Sequence, residues 1–347
     1  AKEAIEQLLI FNARRLLLFR SLPYLAVLNP SISESYNLYL ESMSLLIASS
    51  FKIPTNTTEN TKFAQETLSK FIDIHTDALP GLSKGFGEVL PVVGIDRTRK
   101  FLDSHLVERI RMRLIAHQHV ELTNTLEGSI DSVNKYEKGS RFNGVIKLLD
   151  LPSVIKKNAD MVNDLFLIKY DKSVTININS KLEDNFWLGN NAASEVKPKS
   201  TTFPYIEFHL DYILTEAFKN SFRAHIENNV EDPVQVTISV SNKEPGSYME
   251  LRIRDKGKGI PKKVLNHIFD YSYTTYESGE GDSYKTLNVP PGMEGNIVAG
   301  MGYGLPLLKN YVEAFNETQS DLKPKGLLSL QTYPDWGTDL YIKAVGL

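Results

Sequence analysis

A four-helix bundle followed by an α/β sandwich is the fold class that this sequence of 347 residues predicts. Three observations predict it. Residues 1 to about 165 repeat apolar positions at helical spacing almost without interruption. Near Tyr170 the pattern turns to short alternating runs separated by single helices. In the second half, glycine-rich segments stand beside helices whose other faces are apolar. The expected domains are residues 1–168, helical, and 169–347, mixed α/β.

The helical half opens with Glu3 to Arg20, where Ile5, Leu8, Leu9, Phe11, Leu16 and Leu17 recur at helical spacing. Pro23 and Pro30 punctuate the next segment. Ser33 to Ser50 is the second helix, with Ser33 as its expected N-cap. Pro54 to Thr61 reads as a polar turn, Lys62 to His75 as a third helix, and Pro80 to Gly87 as a loop before a weaker helical stretch. Asp96 to about Leu126 is one long helix. A last helical stretch is expected over Val145 to Tyr170, with Pro152 breaking it near its start. Long amphipathic helices with short connections make a bundle.

The second half begins with strands expected at Val174–Ile178 and Phe203–Glu207. Next comes HLDYILTEAFKNSFRAHIEN, His209 to Asn228, a helix with two distinct faces. Glu216, Asn220 and Arg223 share one strip, while Leu214, Ala217, Phe218, Ser221 and Phe222 cover the other side. A carboxylate, a carboxamide and a guanidinium in line can address a proton, a metal ion and a phosphate. A merely solvated polar face has the same spacing, so the helix alone decides nothing.

Two glycine-rich signatures come after this helix. Strands Val234–Val240 and Tyr248–Ile253 lead into RIRDKGKGIP, where Asp255, Gly257 and Gly259 let the backbone turn sharply and come close to a ligand. Further on, Gly300, Gly302 and Gly304 run into a helix with Leu305, Leu308, Tyr311, Val312 and Phe315 on its apolar side. Unpaired N–H groups and the positive dipole end of such a helix suit a polyphosphate. Between the two lies Asp270 to Ala299, which reads as a lid over a ligand or else as a plain surface excursion. Seven of the chain's 21 glycines fall between Gly279 and Gly304, which favours the lid, because the segment runs into the phosphate-binding glycines. Strands Leu327–Thr332 and Asp339–Ala344 close the sequence.

Composition narrows the function classes. Hydrophobic content of 41%, charged content of 23% and a net charge of −3 describe an ordinary globular protein, without the basic excess that a nucleic-acid partner calls for. Cysteine is absent, which excludes a disulfide framework and a Cys-based zinc site. No apolar run approaches the ~20 residues of a membrane span, and the best one, LLLFRSLPYLAVL, is interrupted by Arg20 and Pro23. The sequence starts at Ala1, and Glu3 and Glu6 fit a transit peptide poorly, so a processed or truncated N-terminus is expected. The Gly81–Gly87 run is not a P-loop, and the His-Arg-Asp and Asp-Phe-Gly sets of ordinary protein kinases are missing.

The helix, the two glycine boxes and a closing Gly337-Thr338-Asp339 together resemble the GHKL (Bergerat) ATP-binding fold of gyrase, histidine kinases, a heat-shock chaperone and mismatch-repair ATPases. Six segments then resemble, in order, a narrower family: FRSLPYLAVLNP, IRMRLIAHQHVEL, LTEAFKNSFRA, RDKGKGIP, FDYSYTT and GMGYGLPLLKNYVEAF. They are similar to the mitochondrial kinases of the 2-oxo-acid dehydrogenase complexes, which act on pyruvate or branched-chain dehydrogenase. The likeness runs from about Arg20 to Lys343. It implies a protein-serine kinase of the mitochondrial matrix that uses ATP and Mg²⁺ to phosphorylate and inactivate the E1 alpha subunit of pyruvate dehydrogenase. It also implies docking to the lipoyl domain of the E2 core, and a homodimer or a heterodimer with a related kinase.

Carried over residue by residue, the resemblance makes Glu216 the general base and Asn220 the Mg²⁺ ligand, with Lys219 and Arg223 neutralising phosphate charge. Asp255 takes the adenine amine, with Thr338 on the same side, and Gly257 and Gly259 permit close approach. Ser272, Thr274 and Thr275 of FDYSYTT join the nucleotide set. So do Gly300, Met301, Gly302, Tyr303, Gly304 and Leu305. Three features depart from the family. Tyr212 stands four residues before the base, where pyruvate dehydrogenase kinases usually have histidine, and HLDYIL is closer to the branched-chain kinase. Lys256 and Lys258 stand where Arg and Gly are commoner. Asp335-Trp336 is a strand connection here, not the Asp-Trp pair of the C-terminal tail found in animal members. Other readings are a branched-chain kinase, a histidine kinase phosphorylated on His117 or His119, an ATP-driven clamp, and a regulatory subunit that transfers nothing.

Overall fold

The computed structural model describes residues 2–54, 57–75, 78–127, 138, 140, 142–180, 201–241, 247–271, 304–316 and 325–346. They form two compact units, Ala1–Lys147 with Phe269–Asn310, and Leu148–Ile268 with Tyr311–Leu347.

The first unit is helical. It contains α1 (Lys2–Arg20), the single turn α2 (Tyr24–Val27), α3 (Pro30–Ser50), α4 (Thr57–Ile74), α5 (Ala78–Val93) and α6 (Ile95–Glu127). α1 packs on α3 and α6, α4 packs on the same two helices, and α5 packs on α3. The N-cap of α3 is Asn29 and not Ser33. Its Oδ1 accepts from the N–H groups of Ser31 (3.0 Å) and Ile32 (3.2 Å), and Pro30 at the next position has no N–H to satisfy. α4 starts at Thr57, so it takes in Thr57–Thr61 of the expected polar turn. α5 runs straight through the expected loop Pro80–Gly87. Packing overrides propensity there, because Gly85 lies where an added Cβ would sit 2.6 Å from Ile32 Cγ1.

Apolar burial does not fill the first unit alone. Phe19 stands among the rings of Tyr36, Tyr39, Phe101 and His105, at centroid distances of 5.2 to 5.8 Å. Asn12 Nδ2 donates to Ser42 Oγ at 2.8 Å. The buried Arg15 donates to Ser104 O at 2.8 Å and pairs with Glu108. Asn12 and Arg15 thus each find a partner on another helix, which offsets their desolvation.

The second unit is built on a sheet. β1 (Ile146–Asp150) replaces the start of the expected last helix and pairs with β3 (Thr202–Ile206). α7 (Leu151–Tyr170) comes next, with Pro152 in its first turn, where a missing N–H costs nothing. β2 (Ile176–Asn179), β4 (Val234–Ser241), β5 (Tyr248–Arg254), β6 (Leu327–Tyr333) and β7 (Gly337–Val345) make a five-stranded sheet in the order β2-β4-β5-β7-β6. β2 and β4 are parallel and the other pairs antiparallel. Register aligns Val236, Ile253 and Leu340 across three strands, and Ile238, Leu251 and Ile342 beside them. All six are buried, which fixes one face of the sheet as core. α8 (Glu207–Glu227) packs on α7 and reaches β3 and β5. α9 (Lys262–Leu265) is a single turn, and α10 (Gly304–Glu313) has residues in both units. No helix among the described residues is long and apolar enough to cross a membrane.

Candidate active site

Three separated pieces of sequence meet in the second unit: α8, the turn after β5, and the β6–β7 hairpin. α8 is held by Leu210, Ile213, Leu214, Ala217, Phe218 and Phe222, all fully or almost fully buried. The strip that carries Glu216, Asn220 and Arg223 therefore has a fixed direction. It is graded along its length, with Glu216 buried, Asn220 exposed and Arg223 half-buried.

Glu216 does not stand alone. Lys219, three residues on and also buried, donates from Nζ to Glu216 Oε1 at 2.5 Å. One turn earlier, a buried chain of polar groups ties α8 to α7: Thr215 Oγ1 donates to Asn158 Oδ1 at 3.1 Å, and Asn158 Nδ2 donates to Asp211 Oδ1 at 2.7 Å. Lys157 approaches Asp211 and Glu207 from the rim. Tyr212 packs its ring on Tyr311, with centroids 4.7 Å apart, and Tyr311 also meets His209 at 4.8 Å.

The turn after β5 sits on the far end of α8. An added Cβ on Gly257 would lie 2.8 Å from Ala224 Cβ, so the two backbones touch with nothing between them. Gly259 has φ +72, a conformation that suits glycine, and its backbone lies against Tyr333 O. The N–H of Lys256 donates to Nε2 of the fully buried His225 at 3.0 Å.

Asp255 joins the turn to the β6–β7 hairpin, while its neighbours Lys256 and Gly257 meet α8. Its N–H donates to Thr338 O at 3.0 Å, and its Oδ1 accepts from Gly257 N (3.0 Å) and Thr338 N (3.1 Å). Burial pushes its carboxyl up to about 6, against the pull of those two N–H groups; Asp339 nearby adds to the rise. Asp339 itself is lowered. Burial works to raise it, but Arg254 overcomes this with paired hydrogen bonds of 2.6 and 2.5 Å. In the hairpin, Thr332 Oγ1 accepts from Ile260 N at 2.7 Å and lies 3.2 Å from Thr338 Oγ1. Asp335 and Trp336 occupy the β6–β7 turn, where Asp335 N donates to Lys258 O at 2.9 Å.

Glu216, Lys219, Asn220, Arg223, Asp255, Gly257, Gly259 and Thr338 all belong to this unit. Gly304 and Leu305 open α10. Ser272, Thr274, Thr275, Gly300, Met301, Gly302 and Tyr303 lie outside the described residues, as does most of the expected lid. His225 and the Arg254–Asp339 pair are the contributors that the sequence did not disclose. Their partners are 31 and 85 positions away, so no local pattern marks them.

The donors present fit a magnesium nucleotide. Among the described residues both hydrogen bonds to the Asp255 carboxylate fall on Oδ1, which leaves Oδ2 to accept from an amine. The described residues also contain no group of three or more His, Cys, Asp or Glu able to cage a metal. A single exposed carboxamide, Asn220, suits an ion held mainly by phosphates and water.

Comparison with known proteins gives the same picture from outside. Residues 1–147 match the family model described as mitochondrial branched-chain alpha-ketoacid dehydrogenase kinase. Residues 206–342 match that of the histidine kinase-, DNA gyrase B- and HSP90-like ATPases. The chain is 32% identical over 347 residues to a mitochondrial [pyruvate dehydrogenase (acetyl-transferring)] kinase 1 of Saccharomyces cerevisiae, covering 99% of this chain and 78% of that one. It is 27% identical over 327 residues to human isozyme 1, covering 91% and 66% respectively. Mouse isozyme 4 is 24% identical over 338 residues, with 93% and 71% covered.

Proposed function

The chain belongs to the mitochondrial pyruvate dehydrogenase kinase family, and on that premise we propose that it transfers the γ-phosphoryl group of MgATP to a serine of the pyruvate dehydrogenase E1 alpha subunit. The observation that carries the proposal is the convergence on Asp255. One buried carboxylate with an oxygen to spare is held by β7 and its own glycine turn, and that turn rests on the helix bearing Glu216 and Asn220.

Each residue then has a task. Asp255 Oδ2 accepts from the adenine amine and Thr338 lines the same side. Asn220 would hold Mg²⁺ through its carboxamide oxygen; the ion, when bound, neutralises phosphate charge. Arg223 and Lys219 add positive charge at the phosphates. Glu216 takes the serine proton as the serine oxygen bonds to the γ-phosphorus and the bond to the β-phosphate oxygen breaks, leaving ADP and phosphoserine. The proton leaves the Glu216 carboxyl to solvent. Positioning and charge neutralisation dominate such a transfer, and one well-placed base contributes ~10²–10⁴-fold. The helical region up to about residue 168 would dock the lipoyl domain of the E2 core. The enzyme would act in the matrix as a homodimer or a heterodimer with a related kinase.

The test offers labelled ATP with pyruvate dehydrogenase E1 and branched-chain E1 side by side. Acid-stable label on pyruvate dehydrogenase E1 alone is expected, with Glu216→Gln slowing transfer at least about 100-fold while still binding nucleotide. Label on the branched-chain E1 instead would move the substrate to the reading that Tyr212 favours. Acid-labile label on the chain itself would mark a histidine kinase, and ATP hydrolysis without label a clamp.

A further inference from the structure

We propose that His225 is a positioning residue for the nucleotide: its imidazole holds the Lys256 amide, and through it the turn that presents the Asp255 carboxylate. The proposal rests on the nucleotide reading above. Three successive N–H groups leave β5, and each goes to a different part of the fold. Asp255 N donates to Thr338 O on β7, Lys256 N to His225 Nε2 on α8, and Gly257 N back to Asp255 Oδ1. The first and third determine where the carboxylate points within its loop. The second is the one hydrogen bond of the three that ties the loop to α8, the helix that carries Glu216, Asn220 and Arg223.

The chemistry of the ring supports this use. An imidazole nitrogen accepts only when it carries no proton, so the bond requires neutral His225 with its hydrogen on Nδ1. Complete burial favours the neutral ring and lowers its pKa, with the Asp232 backbone and carboxylate opposing and the Lys256 cation adding to the fall. Lys256 directs its own ammonium to Asp232 at 3.0 Å, so its side chain and its amide are anchored independently. Gly257 already touches Ala224, and this contact with the Lys256 bond fixes the separation of adenine acceptor and helix at two adjacent points.

Four proteins test it: wild type, His225→Phe, His225→Gln and His225→Asn, each assayed for MgADP binding at equilibrium and for KM and kcat with MgATP. Phenylalanine keeps a ring and loses the acceptor, and should weaken MgADP about tenfold, the factor that one lost hydrogen bond of about 1.4 kcal/mol gives. The loss should appear in KM for MgATP more than in kcat. Glutamine places an amide oxygen near the position of Nε2 and should restore affinity to within about threefold of wild type. Asparagine is too short to reach and should not. If His225→Phe fails to fold, the Gln and Asn variants decide by themselves. Equal affinity in those two, or wild-type affinity in the Phe variant, would overturn the role of the bond. Absence of MgADP binding by wild type would instead remove the nucleotide reading on which the role depends.

Discussion

Among single side chains the informative one is Asp255. Its carboxyl titrates near 3.8 when the chain is unfolded and near 6 in the fold. Between those values the folded protein binds the proton more tightly, so stability is higher on the acid side and falls as pH rises through about 6. Nucleotide binding runs the other way, because accepting from the adenine amine at full strength needs the ionised form. MgADP affinity should therefore weaken as pH drops through about 6. Asp255→Asn keeps a carbonyl oxygen for Gly257 N and Thr338 N but turns the other end into a donor. At pH 8 it should stabilise the fold by roughly 1–3 kcal/mol, since a buried charge is removed. It should also lose MgADP affinity at least about 30-fold, the scale of an unpaired donor facing a donor. Wild-type binding by this variant, measured beside its melting temperature, would rule out the adenine contact.

At the element scale, α5 shows how contact overrides local preference. Ala78–Val93 contains Pro80, three glycines in Gly81, Gly85 and Gly87, and Pro91, a poor composition for a helix. It is helical because it packs on α3, and Asn29 joins the two, capping α3 with Oδ1 and donating from Nδ2 to Glu88 at 2.7 Å. Gly85→Ala would gain about 1 kcal/mol of helix propensity. The added methyl, however, would lie 2.6 Å from Ile32 Cγ1 and 2.9 Å from the Asn29 cap oxygen. Overpacking costs typically 1–3 kcal/mol, so the net expectation is a loss, read as a lower denaturant midpoint with unchanged slope. A higher midpoint would show that α3 yields freely at this point.

At the scale of the whole molecule, nucleotide binding and folding are linked. A ligand at a hundred times its Kd adds about 2.7 kcal/mol to the stability of the form that binds it. MgADP should accordingly raise the thermal transition of the unit that holds Glu216, Asn220, Asp255 and Thr338. In Asn220→Ala, ADP with magnesium and ADP with a chelator should give the same shift, because the protein has lost its own hold on the ion. A magnesium-dependent shift that survives in this variant would move the metal ligand elsewhere.

Elements with strong local periodicity could be read from amino-acid order alone. Helix α8, the strands β4, β5 and β7, and the glycine turn of Asp255, Gly257 and Gly259 were legible because side-chain spacing and backbone freedom are local properties. So was the nucleotide class of the second domain, which rests on motif order. Tertiary structure decided what depends on distant partners. Ile146–Asp150 became a strand because β3 lies beside it, and Asn29 rather than Ser33 capped α3 because Pro30 starts the helix there. Glu216 is legible as part of a strip, but its burial against Lys219 comes from how α8 sits in the fold. His225 had no signal at all in the sequence. Its role exists only where a turn from residue 256 comes to rest on a helix 31 positions earlier, and a hydrogen bond between them is a fact about space, not about order along the chain.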